Sequence, residues 1–126
     1  ITKKYILNQP NVGDKIDSFN NIPVYYNGST DTNLGRNRSA EGYNYGLKYQ
    51  CVEFVKRYYC DHLNHKMPNS FGHAKDFYNP NLKDNERNSD RNLLQFSNPS
   101  TTKPKIKSLI SYITSLNFSI WVAPRV

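Results

Sequence analysis

Hydrophobic positions along the chain fall in short clusters between long polar stretches, and the clearest periodicity runs from Tyr49 to Asn64. Cys51, Phe54, Val55, Tyr58 and His62 recur at helical spacing, while Glu53, Lys56, Arg57 and Asn64 fall on the other side. The pattern predicts one principal amphipathic helix from about Gln50 to Asn64, with Cys51 at its buried beginning. Glu53 with Arg57 and Arg57 with Asp61 are oppositely charged pairs four residues apart, as a solvated outer face would carry. A second, shorter helix is predicted from Phe71 to Tyr78, stopped by Asn79-Pro80.

Strand signals are briefer. Ile22-Pro23-Val24-Tyr25-Tyr26 is a β-prone run closed by the turn dipeptide Asn27-Gly28. Ser29 to Gly46, rich in Gly, Asn, Ser and charge, predicts a long exposed loop of the kind that borders a site. Asn81 to Arg91 reads as a loop, Leu93 to Phe96 as a strand, and the residues to Pro104 as a connector. Leu116, Phe118, Ile120 and Val122 alternate with Asn117, Ser119 and Trp121 as in a half-buried strand, whereas Leu109 to Ile113 suits helix or strand equally. From Ser108 the chain becomes β-prone.

Composition narrows the picture. A chain of 126 residues is one domain's worth, too short for two independent cores. Only 37% of residues are hydrophobic, but the ten tyrosines are far more than a disordered chain carries, so the domain is folded and polar. A net charge of +7, spread along the chain, favours an anionic partner in general. No apolar run is long enough to cross a bilayer, and the start lacks an export signal's charged-then-apolar pattern. An opening Ile1 in place of Met reads as a mature chain or an excised fragment. Cys51 and Cys60, nine residues apart on one helix, would have Cα atoms about 13 Å apart, beyond the reach of a disulfide. Both are expected as free thiols.

A cysteine in the first turn of a helix has a chemical advantage, because unpaired N–H groups and the positive end of the helix dipole favour thiolate over thiol. The same N–H groups can receive the oxygen of an attacked carbonyl, with Gln50 as a further donor. The alternative is a small buried hydrophobe at Cys51.

The surrounding residues point further. Gly46-Leu47-Lys48-Tyr49-Gln50-Cys51-Val52-Glu53-Phe54-Val55-Lys56-Arg57-Tyr58-Tyr59 closely resembles the nucleophile segment of the CHAP family, the cysteine- and histidine-dependent amidohydrolases and peptidases. Met67-Pro68-Asn69-Ser70-Phe71-Gly72-His73-Ala74-Lys75-Asp76-Phe77 is similar to the segment after that helix in one branch of the family. The resemblance implies a papain-like α+β domain in which the helix bearing Cys51 packs on an antiparallel sheet carrying a catalytic histidine. It implies cleavage of amide bonds, most often in bacterial peptidoglycan and in one relative in glutathionylspermidine. An extracellular or cell-envelope location and a monomer without cofactor go with it.

The expected histidine is missing. After about residue 106, where the family shows a Gly-Asp turn and a Gly-His-Val strand, this chain has Lys107-Ser108 and Ile120-Trp121-Val122-Ala123, and Trp121 cannot accept a proton from a thiol. The C-terminal segment is therefore read as truncated or altered. His62 shares the Cys51 face but lies roughly 16 Å along the helix axis, and His65 is farther. That leaves His73 as the candidate base, although the resemblance places it as a structural residue starting the next helix. Cys60, His62, His65 and His73 do not converge as zinc ligands, because Cys60 and His62 point to opposite sides of the helix. No metal site is expected, and Glu53, opposite Cys51, is read as part of a surface ion pair. The tyrosines are scattered without the aromatic-basic motif of RNA-binding modules, which argues against nucleic acid. The expected functions are an amide hydrolase working through Cys51, or a binding domain for cell-wall peptide that keeps the groove without the chemistry.

Overall fold

The computed structural model describes residues 8–97 and the backbone of Ile120–Val122. In chain order the elements are β1 (Lys15–Phe19), β2 (Ile22–Tyr25), β3 (Arg36–Arg38), β4 (Asn44–Leu47), α1 (Cys51–Asp61), a 3₁₀ turn (Ala74–Phe77), β5 (Glu86–Asn88), β6 (Leu93–Phe96) and β7 (Ile120–Val122). Among the described residues, one α-helix with short antiparallel strand pairs makes a small α+β architecture.

The strands form two hairpins and one three-stranded sheet in the order β5-β6-β7. Phe19 pairs with Ile22 across Asn20 and Asn21, whose φ values of 47° and 65° are those of a two-residue hairpin turn. Among the described residues, all five non-glycine positions with positive φ, namely Asn20, Asn21, Asn64, Asn85 and Asn92, are asparagines. Asparagine thus takes the left-handed positions that glycine does not, because this short amide side chain tolerates them better than most.

The stretch 29–46, expected as one exposed loop, holds β3 and β4, paired through Arg36 with Leu47, Asn37 with Gly46 and Arg38 with Asn44. No period-two alternation marks it, because Asn44, Tyr45 and Gly46 are buried in succession and two of the three are polar or lack a side chain. Gly46 takes φ 121°, a conformation that favours glycine, and a Cβ there would lie 3.4 Å from the Glu53 Cα, in contact with α1. Likewise β5 lies inside the predicted loop 81–91, and only Ala74–Phe77 of the predicted second helix is helical. Strand β6 matches its expected bounds and pairs with β7, Gln95 opposite Trp121. The expectation for Leu109 to Ile113 and the first residues of the 116–122 strand lie outside the described residues.

Helix α1 ends at Asp61, three residues before the predicted stop. Asn64 adopts φ 50° while the His65 N–H donates back to the Tyr59 carbonyl at 2.8 Å, the left-handed cap that terminates a helix. The helix lies against β4 and β2, and its Tyr59 joins Met67, Phe77 and Leu93 in the apolar core.

The predicted faces of α1 are corrected by the structure. Glu53, Lys56 and Arg57, expected outside, are buried along with Tyr58 and Tyr59, whereas Cys51 is exposed. The reason lies in what the helix meets. Arg57 donates to Glu53 Oε1 at 2.7 Å and to the Pro23 carbonyl at 2.7 Å, and the Asn37 amide donates to Glu53 Oε1 at 2.9 Å. Lys56 donates to the Ser70 carbonyl. Each charge finds a partner inside, and periodicity of hydrophobicity cannot register that.

Candidate functional site

Cys51 is the first residue of α1, with Gln50 as an extended N-cap. The Phe54 N–H is the first to reach back along the helix, to the Gln50 carbonyl at 3.1 Å. The N–H groups of Cys51, Val52 and Glu53 therefore precede the intrahelical ladder, and no side chain at the N-cap satisfies them. Exposure of the thiol corrects its expected burial and removes the reading of Cys51 as a buried hydrophobe.

The three residues before Cys51 all hold one loop. The Lys48 N–H donates to the Gly35 carbonyl at 2.9 Å, and the Tyr49 N–H donates to Asn27 Oδ1 at 3.4 Å. Gln50 Nε2 donates to the carbonyls of both Thr30 and Thr32, each at 3.0 Å. A primary amide has two hydrogens, so both are committed. The oxyanion-donor role expected of Gln50 would require breaking one of these bonds; the donors left at this end are the N–H groups of the first turn.

The histidines are spread out. His73 is exposed and precedes the 3₁₀ turn, its N–H donating to Asp76 Oδ2 at 2.7 Å. His65 Nε2 meets the Arg91 carbonyl at 2.9 Å, and the exposed His62 packs its ring on Tyr58, centroids 4.9 Å apart. No histidine is a hydrogen-bond partner of Cys51 among the described residues. No three His, Cys, Asp or Glu side chains among them gather to hold a metal ion either.

Two features, one buried and one half-buried, escaped the sequence reading. Lys56 and Arg91, 1% and 2% exposed, grip the segment 69–77 from two sides. Arg91 donates to the carbonyls of Asn69, Phe71 and Asp76 and lies 3.7 Å from the Phe77 ring centre, while Lys56 bonds the Ser70 carbonyl between them. Burial first, then the charges of Arg91 and Arg36, bring the Lys56 ammonium down to about 8. The second feature surrounds Cys60, where the Tyr45 hydroxyl donates to Asp61 Oδ1 at 2.6 Å. Burial, with the Asp61 charge, pushes the Cys60 thiol up, so the two free thiols differ in exposure and environment. Neither leaves a signal in the sequence, because the partners are backbone carbonyls or side chains distant in the chain.

No helix among the described residues is long and apolar enough to cross a membrane. Comparison with protein-family models, with curated proteins and with solved structures returns no match to this chain.

Proposed function

We propose that this chain is a papain-like domain of the CHAP type, acting on amide bonds of bacterial cell-wall peptides through Cys51. The observation that supports the reading is the exposed thiol on the first residue of α1, beside N–H groups that no side chain caps. In this reading the thiolate attacks the amide carbonyl, the carbonyl oxygen turns toward the first-turn N–H groups, the amine leaves with a proton, and water releases the acyl group. A glutathionylspermidine-type amide is the alternative substrate of the same chemistry.

A second reading, a non-catalytic module that holds cell-wall peptide, is favoured by the placement of His62, His65 and His73, none of which pairs with Cys51. Loss of one member of a catalytic unit costs several orders of magnitude in rate. The experiment is release of new amino groups from purified peptidoglycan, with and without Cys51→Ala. Release that disappears with the substitution supports the hydrolase. Retention of wall fragments by both forms, with no release, supports the binding module, and neither release nor retention overturns both.

A further inference from the structure

Asn27-Gly28 follows β2 without closing a hairpin, since β2 pairs with β1 through the turn at Asn20 and Asn21. Of the six glycines only Gly28 follows an asparagine, and none follows an aspartate. At an Asn-Gly bond the side-chain amide and the next peptide nitrogen can close a five-membered ring, because glycine has no Cβ to keep the two apart. Both ends of the Asn27 amide are held. Its Nδ2 donates to the Ser29 carbonyl at 2.9 Å, and its Oδ1 accepts the Tyr49 N–H at 3.4 Å. A side chain that reaches the main chain two residues downstream is folded over the Gly28 peptide between. The Tyr49 N–H draws electrons from the amide carbonyl and is in place for the negative oxygen that attack on that carbon creates. Gly28 is exposed with φ 81°, and its own N–H meets no acceptor among the described residues.

We propose that Asn27 is a self-modification site, where attack of the Gly28 nitrogen on Asn27 Cγ converts the loop 27–32 from a clamped to a released form. The Gly28 N–H gives up its proton, a new bond from that nitrogen to Cγ closes a succinimide, and the bond from Cγ to Nδ2 breaks to release ammonia. Water then opens the imide at either carbonyl and leaves aspartate or isoaspartate at position 27; nothing is oxidised or reduced. Either product loses the donor to the Ser29 carbonyl and gains a negative charge. Isoaspartate also lengthens the main chain by one carbon and draws the acceptor away from Tyr49. The change reaches the start of α1, because the loop is tied to Tyr49 by that bond and to Gln50 through the carbonyls of Thr30 and Thr32. This chemistry needs no thiol and is independent of the function proposed for Cys51.

The test is ageing of the whole chain at mildly alkaline pH, folded and in guanidinium chloride, with peptide mapping of each asparagine by mass and by isoaspartate content. Asn27 should convert ahead of every other asparagine, and as fast in the folded chain as in the denaturant or faster. Slower conversion of Asn27 in the folded chain, or another asparagine converting first, overturns the proposal. Asn27→Gln, whose side chain would have to close a six-membered ring, should abolish the conversion. Gly28→Ala is no clean control, because a Cβ there would lie 2.8 Å from Val12 Cγ2. If Asn27→Gln does not fold, the folded and denatured wild-type chains decide the chemistry between them. The isoaspartate form, separated by its extra negative charge, should exchange the Tyr49 N–H about fivefold faster than the unaged chain, the net worth of one hydrogen bond. Unchanged exchange at Tyr49 sinks the release of the loop.

Discussion

Arg57 Nε donates to Glu53 Oε1 at 2.7 Å, one turn apart on α1, with the two side chains 7% and 1% exposed. The rings of Tyr25 and Phe54 lie 5.1 Å and 5.5 Å from the guanidinium. Removing one partner strands the other charge in a place water does not reach. Arg57→Leu should therefore destabilise by about 3–5 kcal/mol, and Glu53→Leu with Arg57→Leu should recover much of that loss. Urea unfolding of the two variants beside the wild type measures it; a double variant as unstable as the single one would show that the pair does more than satisfy itself.

Lys56 carries a pH signature. Its ammonium titrates at about 8, below the 10.5 of a free lysine, because burial and then Arg91 and Arg36 disfavour the charge. Between those values the unfolded chain binds a proton that the native state has shed. The Lys56 contribution to stability is therefore flat below about 8 and rises with pH up to about 10.5. Lys56→Met should be most favourable relative to the wild type near neutrality, and its advantage should shrink as pH climbs. Unfolding midpoints of both proteins between pH 7 and 10 check this, and tyrosine ionisation cancels in the difference.

The two thiols should react at separate rates. Cys51 is exposed, whereas the half-buried Cys60 has its thiol held up by burial and Asp61. A chromogenic disulfide under native conditions should give a fast and a slow phase, and Cys51→Ala should delete the fast one. Being a surface change, that substitution should move stability by no more than about 0.5 kcal/mol. Loss of the slow phase instead would reverse the assignment.

Asn64 ends α1 with φ 50°. Asn64→Gly should be neutral or slightly stabilising, and Asn64→Val should cost roughly 1–2 kcal/mol, because a branched Cβ resists the left-handed region. Thermal unfolding distinguishes them. Equal midpoints would mean that the helix end frays without loss.

What could be read along the chain was whatever local chemistry enforces: the helix that starts at Cys51, the strand Leu93–Phe96, and the free state of two cysteines too far apart on one helix to join. These follow from backbone geometry within a few residues. Which side of α1 turns inward did not follow. Glu53, Lys56 and Arg57 are charged, and burial of a charge depends on acceptors brought from Asn37, Pro23 and Ser70, residues that only folding makes neighbours. The same holds for Gln50, whose position beside Cys51 suggested a donor to substrate until the loop around Asp31 claimed its amide hydrogens. Local propensity chose the elements, and long-range pairing of polar groups chose their orientation, because a buried hydrogen bond or charge is settled by both partners at once.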